Sequence, residues 1–429
     1  MVKIFKDHLL ICIILYVALG VSLRAQQPTV SKISFVGNEH TEEHIISREI
    51  QHPIGVPLDS TLLNADRERL ENLQIFSMVH WQAYSLTDGT IEVRFFLVET
   101  WRYLPGLAPV YDEKTGWSLS GLLIVNNFRG CNQTLQLSGI VGGISSYSLS
   151  FFDPWIMGNH ISLRTEYRNE RFRHYYQPYD QQLLAAEVQL GKDYFYQHKL
   201  RGNIRFEQKG FRQADTVIAD FDYIQPALTY SYDTRNLYAD PYAGGVLSSI
   251  ITVGFPYAGS AQRYWTLSGT ASQFSKIAGE KHKLVFGANL RGNFRFGYQH
   301  TLLTGYLGGA YTVRGWTPPD HEIYAAAENA FRFGYQSVVA SLELRQTLIP
   351  KFVTVLRNES GLILVTFLDV GIIADDIAEL SHQKPMLGIG IGFRIPTPMV
   401  GQLRLDYGWG LYDGKNVDHQ LHLAFGHSF

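Results

Sequence analysis

From about residue 101 to Phe429 the chain alternates, and no helical periodicity interrupts it. In 386–395, Leu387, Ile389, Ile391, Phe393 and Ile395 fall on one side of a period-two pattern, and Gly388, Gly390, Gly392 and Arg394 on the other. In 402–411, Leu403, Leu405, Tyr407, Trp409 and Leu411 oppose Gln402, Arg404, Asp406, Gly408 and Gly410. In 200–209, Leu200, Ile204 and Phe206 oppose Arg201, Asn203, Arg205, Glu207 and Lys209. Successive side chains of an extended strand point to opposite faces, so each segment is a strand with one greasy and one polar face. Such strands recur here with no helix to cover them. A closed sheet with lipid outside and polar groups inside satisfies both faces and leaves no edge.

Composition agrees. Tyr and Phe number 25 each and Gly 39, while charged residues are 18%. That is a mixture of strand formers and turn formers. Hydrophobic residues reach 45%, yet beyond the N-terminus no apolar run has the ~18 residues of a membrane helix. Any crossing of a membrane is therefore by strands. The net charge of -2 argues against bulk binding of nucleic acid. Counting alternating segments gives about sixteen antiparallel strands, an even number as single-chain barrels prefer. The largest interruption spans 298–330 and holds GAYTVRGWTPPD. Loops of that length are usually functional or disordered.

The N-terminus, MVKIFKDHLLICIILYVALGVSLRAQQP, has a positive start at Lys3 and Lys6, an apolar core from Leu9 to Leu23 and a small residue at Ala25. Residues 1–25 read as a secretory signal peptide, the rival being a retained anchor helix. Cys131 would then be the one cysteine of the mature chain, so neither an intramolecular disulfide nor a thiolate zinc site is expected.

Residues 28–100 have a different grammar. TVSKISFVGNEH alternates and ends in a Gly37-Asn38 turn. TEEHIISREIQ reads as a helix capped by Thr41, and DSTLLNADRERLENLQIF as a second, capped by Asp59 or Ser60. FSMVHWQAYSL and TIEVRFFLVET are strands around an Asp88-Gly89 hairpin signal. The order β-α-α-β-β resembles a single POTRA domain.

Four further segments carry a wider resemblance: SLSFFDPWIMGNHISL, YSYDTRNLYADPYAGG, TVRGW and, at 367–371, FLDVG. With the alternation and the aromatic end at Phe429, the chain resembles the BamA/TamA-type outer-membrane assembly family, also called the bacterial surface antigen family. Trp316 stands where that family's loop motif usually has Phe or Tyr. The resemblance implies an α+β POTRA domain at 28–100 in the periplasm. It also implies an all-β antiparallel outer-membrane barrel at 101–429, whose loop 298–330 folds back into the lumen. It implies that Val313, Arg314, Gly315 and Trp316 dock on the inner wall near Phe367, Asp369 and Gly371. Glu343 faces inward if Leu342 and Leu344 face lipid, and Arg345 is close enough in register to compete for the same acids. An arginine taken out of bulk water needs such partners. The residues alone leave a surface arginine in a mobile loop as the alternative.

Two other patterns point elsewhere. HTEEH, His40 to His44, fits an inverted zinc-peptidase motif, but its domain is too small to supply a further ligand and a cleft. GISSY, 143–147, places Tyr147 where a nucleophile elbow needs glycine. No catalysed reaction, cofactor or metal is expected. The expected partners are the outer-membrane bilayer, client outer-membrane or secreted proteins and accessory periplasmic proteins, with no nucleic acid. The implied activity is assembly and insertion of client proteins, templated at a seam between the first and last strands. Pro105 and Pro109 would weaken the first strand there, or else belong to an interdomain linker. Phe425 and Phe429 would lie on the last strand. A two-partner-secretion type translocation pore and a passive pore or surface antigen are the alternatives.

Overall fold

The computed structural model describes residues 28–425, apart from 113–115, 143–144, 158–159, 175, 215, 239, 354–358 and 398–400. The expected signal peptide and Phe429 lie outside the described residues.

The first unit contains β1 (Val30–Val36), α1 (Glu43–Ser47), α2 (Ser60–Asn72), β2 (Phe76–Ser85) and β3 (Ile91–Glu99). Its sheet has the order β1-β3-β2, with β1 parallel and β2 antiparallel to β3. Asp59 caps α2 by accepting from the N–H groups of Thr61 and Leu62. Leu63 and Leu70 on that helix are fully buried with Ile46, Val93 and Phe95. Thr41, expected as the cap of α1, has another role. Its hydroxyl donates to Glu99 at 2.5 Å and accepts from Asn127 of the second unit. Residues 43–47 form a helix too short to require a side-chain cap, and Glu42 before it makes none.

The second unit is a 16-stranded antiparallel sheet in chain order. It begins with β4 (Tyr103–Asp112), β5 (Gly116–Phe128), β6 (Gln133–Gly142), β7 (Ser145–Asp153), β8 (Ile161–Arg173) and β9 (Asp180–Tyr194). It continues with β10 (His198–Gln213), β11 (Thr216–Asp233), β12 (Ala243–Gly259), β13 (Tyr264–Ala278) and β14 (Leu284–Gly297). A long loop follows, holding β15 (Gly305–Tyr306), α3 (His321–Ala325) and β16 (Phe333–Gly334), which runs five residues past the expected end at 330. Then come β17 (Gln336–Val353), β18 (Glu359–Ala374), β19 (Met386–Thr397), β20 (Gly401–Tyr412) and β21 (Lys415–Phe425). The alternation read in the sequence becomes the two faces of this wall. Leu405 and Trp409 are exposed on its outside, while Arg404 and Asp406 are buried inside.

One expectation is corrected. A closed sheet has no edge, but among the described residues no backbone pairing joins β4 to β21, the two ends of the strand order. The prolines give a physical reason. Both sit within β4, which pairs with β5 from Tyr103 to Asp112, so they do not belong to a linker. Arg102 accepts from Asn126 N–H on the β5 side. Backbone polar groups alternate sides along a strand, so the odd-numbered positions, Pro105 and Pro109 among them, direct theirs to the open edge. Two donors are therefore missing from that edge.

The first unit packs on the turns at one end of the sheet. Arg48 stacks 4.1 Å from the Trp155 ring, Tyr242 donates to Glu68 at 3.0 Å, and Asn72 bonds the backbone of Asn236 and Tyr238. The long loop leaves from the opposite end.

Candidate functional site: a loop arginine against the inner wall

The long loop turns back inside the sheet. Val313 is fully buried among Leu307, Val339, Ile373 and Met386, an apolar seat for the loop tip. Gly315 has φ +84°, and a Cβ there would stand 2.7 Å from the Trp409 backbone carbon, so only glycine fits the turn. The glycine face of β19 gives the loop room: a Cβ at Gly388 would collide with the Arg314 carbonyl. Gly371 serves the same end, since a Cβ there would lie 2.5 Å from Val313. Trp316 donates from Nε1 to the Leu387 carbonyl at 2.8 Å and lies edge-on to Phe331.

These contacts place Arg314 where only 2% of it is exposed. Its Nε and Nη2 donate to the two oxygens of Asp369 at 2.7 and 2.8 Å, and its backbone N–H donates to the same carboxylate at 3.0 Å. Nη1 donates to Glu343 at 2.6 Å. The guanidinium carbon stands 3.8 Å from the Phe367 ring centroid, a cation–π contact in a dry setting. The fork on Asp369 fixes orientation as well as charge. Of the residues singled out from sequence, the structure thus brings together Val313, Arg314, Gly315, Trp316, Glu343, Phe367, Asp369 and Gly371. Pro105 and Phe425 are on the two edge strands, away from this site. Pro109 is in β4 as well.

Arg345 takes the place its register suggested, but sequence reasoning missed Arg394, Arg404, Asp406, Asp418 and His422 as members of the network. Arg394 donates to Asp406 at 2.5 Å and to Glu343 at 3.3 Å. Arg404 donates to Asp406 at 3.1 Å and to the Ala310 carbonyl in the loop at 2.9 Å. Arg345 donates to Glu343 at 2.8 Å. His422 accepts the Gly315 N–H at 3.0 Å, so its Nε2 carries no proton, and Asp418 accepts from Thr317 N–H at 2.8 Å. The signal was present: each wall residue is on the polar parity of its strand. Four guanidinium groups, Arg314, Arg345, Arg394 and Arg404, meet three carboxylates, Glu343, Asp369 and Asp406. The loop therefore touches β17, β18, β19, β20 and β21 and ties the last strands together from inside. The histidines of HTEEH stay apart from this site. His40 stands 3.6 Å from Glu99, and among the described residues no group of three or more His, Cys, Asp or Glu is placed to hold a metal.

An even-stranded sheet, lipid-facing outside, polar inside and plugged by its own loop, with a small α+β unit at one end, defines an outer-membrane barrel with a POTRA-type domain. The family model described as the Omp85 superfamily domain matches residues 127–429, and that for the surface antigen variable number repeat, or POTRA, matches 28–100. The chain belongs to the Omp85 superfamily and its barrel to the outer membrane, with the POTRA domain in the periplasm. It is 20% identical over 416 residues to an outer membrane protein assembly factor BamA of Nitratidesulfovibrio vulgaris, covering 92% of this chain and 50% of that one. It is 26% identical over 137 residues to a protein of the same description from Neisseria meningitidis, 31% of this chain and 17% of that one. The chain thus spans at most half the length of these curated relatives. Among solved structures, CdiB from Escherichia coli aligns with TM-score 0.64 at 13% identity over 93% of this chain and 76% of that one. BamA from Haemophilus ducreyi lacking POTRA domains 1-3 aligns with TM-score 0.55 at 16% identity, over 93% and 83%. At such identities these two show the fold.

Proposed function

We propose that this barrel assembles other outer-membrane proteins by offering the unpaired edge of β4 to an incoming client strand. The observation that carries the reading is the pair of edge-facing prolines. A strand edge with free backbone groups is a template for another strand. Pro105 and Pro109 keep β4 from closing firmly on β21, while Tyr103, Leu107 and Tyr111 still carry edge donors. The loop lock supports the reading from inside, holding β17–β21 as a body while the β4 side is free to part. No covalent chemistry enters; the work is pairing and release. The clients, outer-membrane or secreted, and any accessory periplasmic proteins belong to this proposal, as does the use of the POTRA sheet edge for their delivery.

The test restores the missing donors. In a Pro105→Val/Pro109→Val protein the seam gains two ladder hydrogen bonds, each worth about 0.5–1.5 kcal/mol net. Insertion of a model outer-membrane protein into vesicles holding the full chain is expected to slow several-fold. An unchanged rate in a normally folded double variant would remove the seam from the mechanism.

A further inference from the structure

A second feature lies at the rim of the barrel, at the end away from the POTRA domain. On the outer face of β8, β10 and β11 apolar residues give way to polar ones toward that end. On β8 the apolar run passes through Leu163 and Tyr167, and then Asn169, Arg171 and Arg173 follow on the same face. Register carries the boundary sideways: Tyr147 pairs with Asn169 and Ser145 with Arg171. On β10 and β11 the same change runs from Phe206 and Ile224 to Gln208 and Asp222. Tyr147 and Tyr167 are exposed rings at the boundary, as expected where hydrocarbon gives way to headgroups.

Just beyond that level a cleft of about 780 Å³ opens between the short β6–β7 hairpin and the taller β8. Arg171, Arg173 and Asp180 line its outer side, while His174, packed near Phe211, and His321 of the long loop close it toward the lumen. Asp180 stands 3.6 Å from each arginine, and among the described residues neither guanidinium makes a hydrogen bond. Arg212, further along, is different: it is closed on Asp220 at 2.6 Å. Two arginines with five donors each, sharing one loosely placed carboxylate at headgroup depth, are built to receive oxygen anions.

We infer that Arg171 and Arg173 form a site for the phosphate monoester headgroup of an outer-leaflet lipid. The guanidinium forks match a terminal phosphate, which offers three oxygens, better than a diester. The site anchors the β6–β9 wall to the outer leaflet. It does not depend on whether the barrel inserts clients.

The full chain in micelles, titrated with phosphatidic acid and followed by native mass spectrometry, tests this. Arg171→Gln/Arg173→Gln is expected to weaken phosphatidic acid binding roughly tenfold or more. Arg212→Gln is expected to change it much less, and heat-modifiability on a gel verifies folding of each variant. Wild-type affinity in the double variant would overturn the site, as would equal binding of phosphatidylcholine. Inorganic phosphate binding as tightly as the lipid, with the same arginine dependence, would overturn the lipid assignment.

Discussion

At the scale of single residues, the lock is unequal in its dependence on Arg314. Glu343 is also held by Arg345 and Arg394, whereas the described hydrogen bonds of Asp369 all come from Arg314. Arg314→Ala therefore strands Asp369. Breaking a buried pair in this way costs about 3–5 kcal/mol, enough to displace the loop. Arg314→Lys keeps the charge but loses the fork, so an intermediate effect is expected. Protease sensitivity of residues 305–320 in the folded barrel measures both. Equal protection in wild type and Arg314→Ala would mean that apolar seating by Val313 and Trp316 holds the loop unaided. A second residue-scale expectation concerns pH. Burial pushes the Glu49 carboxyl of the POTRA domain up from 4.5, against the opposing pull of Arg48 beside it. A carboxyl raised in the folded state favours folding below its ordinary value, and that contribution is lost as pH rises through the raised one. Hydrogen exchange around residues 45–50 is expected to quicken as pH climbs above 4.5, after correction for intrinsic exchange. In Glu49→Gln this added dependence should vanish; its persistence would assign it to another group.

At the scale of elements, strands were legible and the loop's partners were only partly so. The β10 pattern, with Ile204 and Phe206 against Arg205 and Glu207, fixes its own faces because a one-residue slip would put charge in lipid. Residue parity therefore told inside from outside along each strand. It did not tell which inward residues meet. Arg394, Arg404, Asp406 and His422 all lay on the inward side, but no local pattern says that a loop far earlier in the chain ends beside them. Arg314 and Asp369 were found because two motifs resembled a family. Thr41 went astray for a related reason: its capping signal is local, while its partner Glu99 is distant. The loop as an element also depends on glycine. Gly315→Ala places a side chain in left-handed backbone against Trp409. A strain of about 1–3 kcal/mol is expected, read as increased protease cutting of the loop with the barrel's heat-modifiability intact. Unchanged protection would mean that the turn relaxes without leaving the wall.

At the scale of the whole molecule, the sequence's clearest message was a barrel, and the structure adds an asymmetry to it. The half of the lumen beside β17–β21 is filled by the locked loop. The half beside β5–β11 is a polar wall of serines and ion pairs, such as Ser138 with Ser148 and Arg168 with Glu166, with α2 packed beneath its mouth. The half tied by the loop ends in β21; the open half begins with a proline-containing β4. The proposed client pairing would take place at that junction, where it can be observed directly. A photo-cross-linking residue at Leu107, which is 74% exposed on β4, would report a client strand arriving at the edge. The same residue at Ile204, 62% exposed in the middle of the wall, serves as the reference. During insertion of a model outer-membrane protein, adducts are predicted at position 107 and not at 204. Equal yields at the two positions, or none at 107 while insertion proceeds, would contradict templating at the seam.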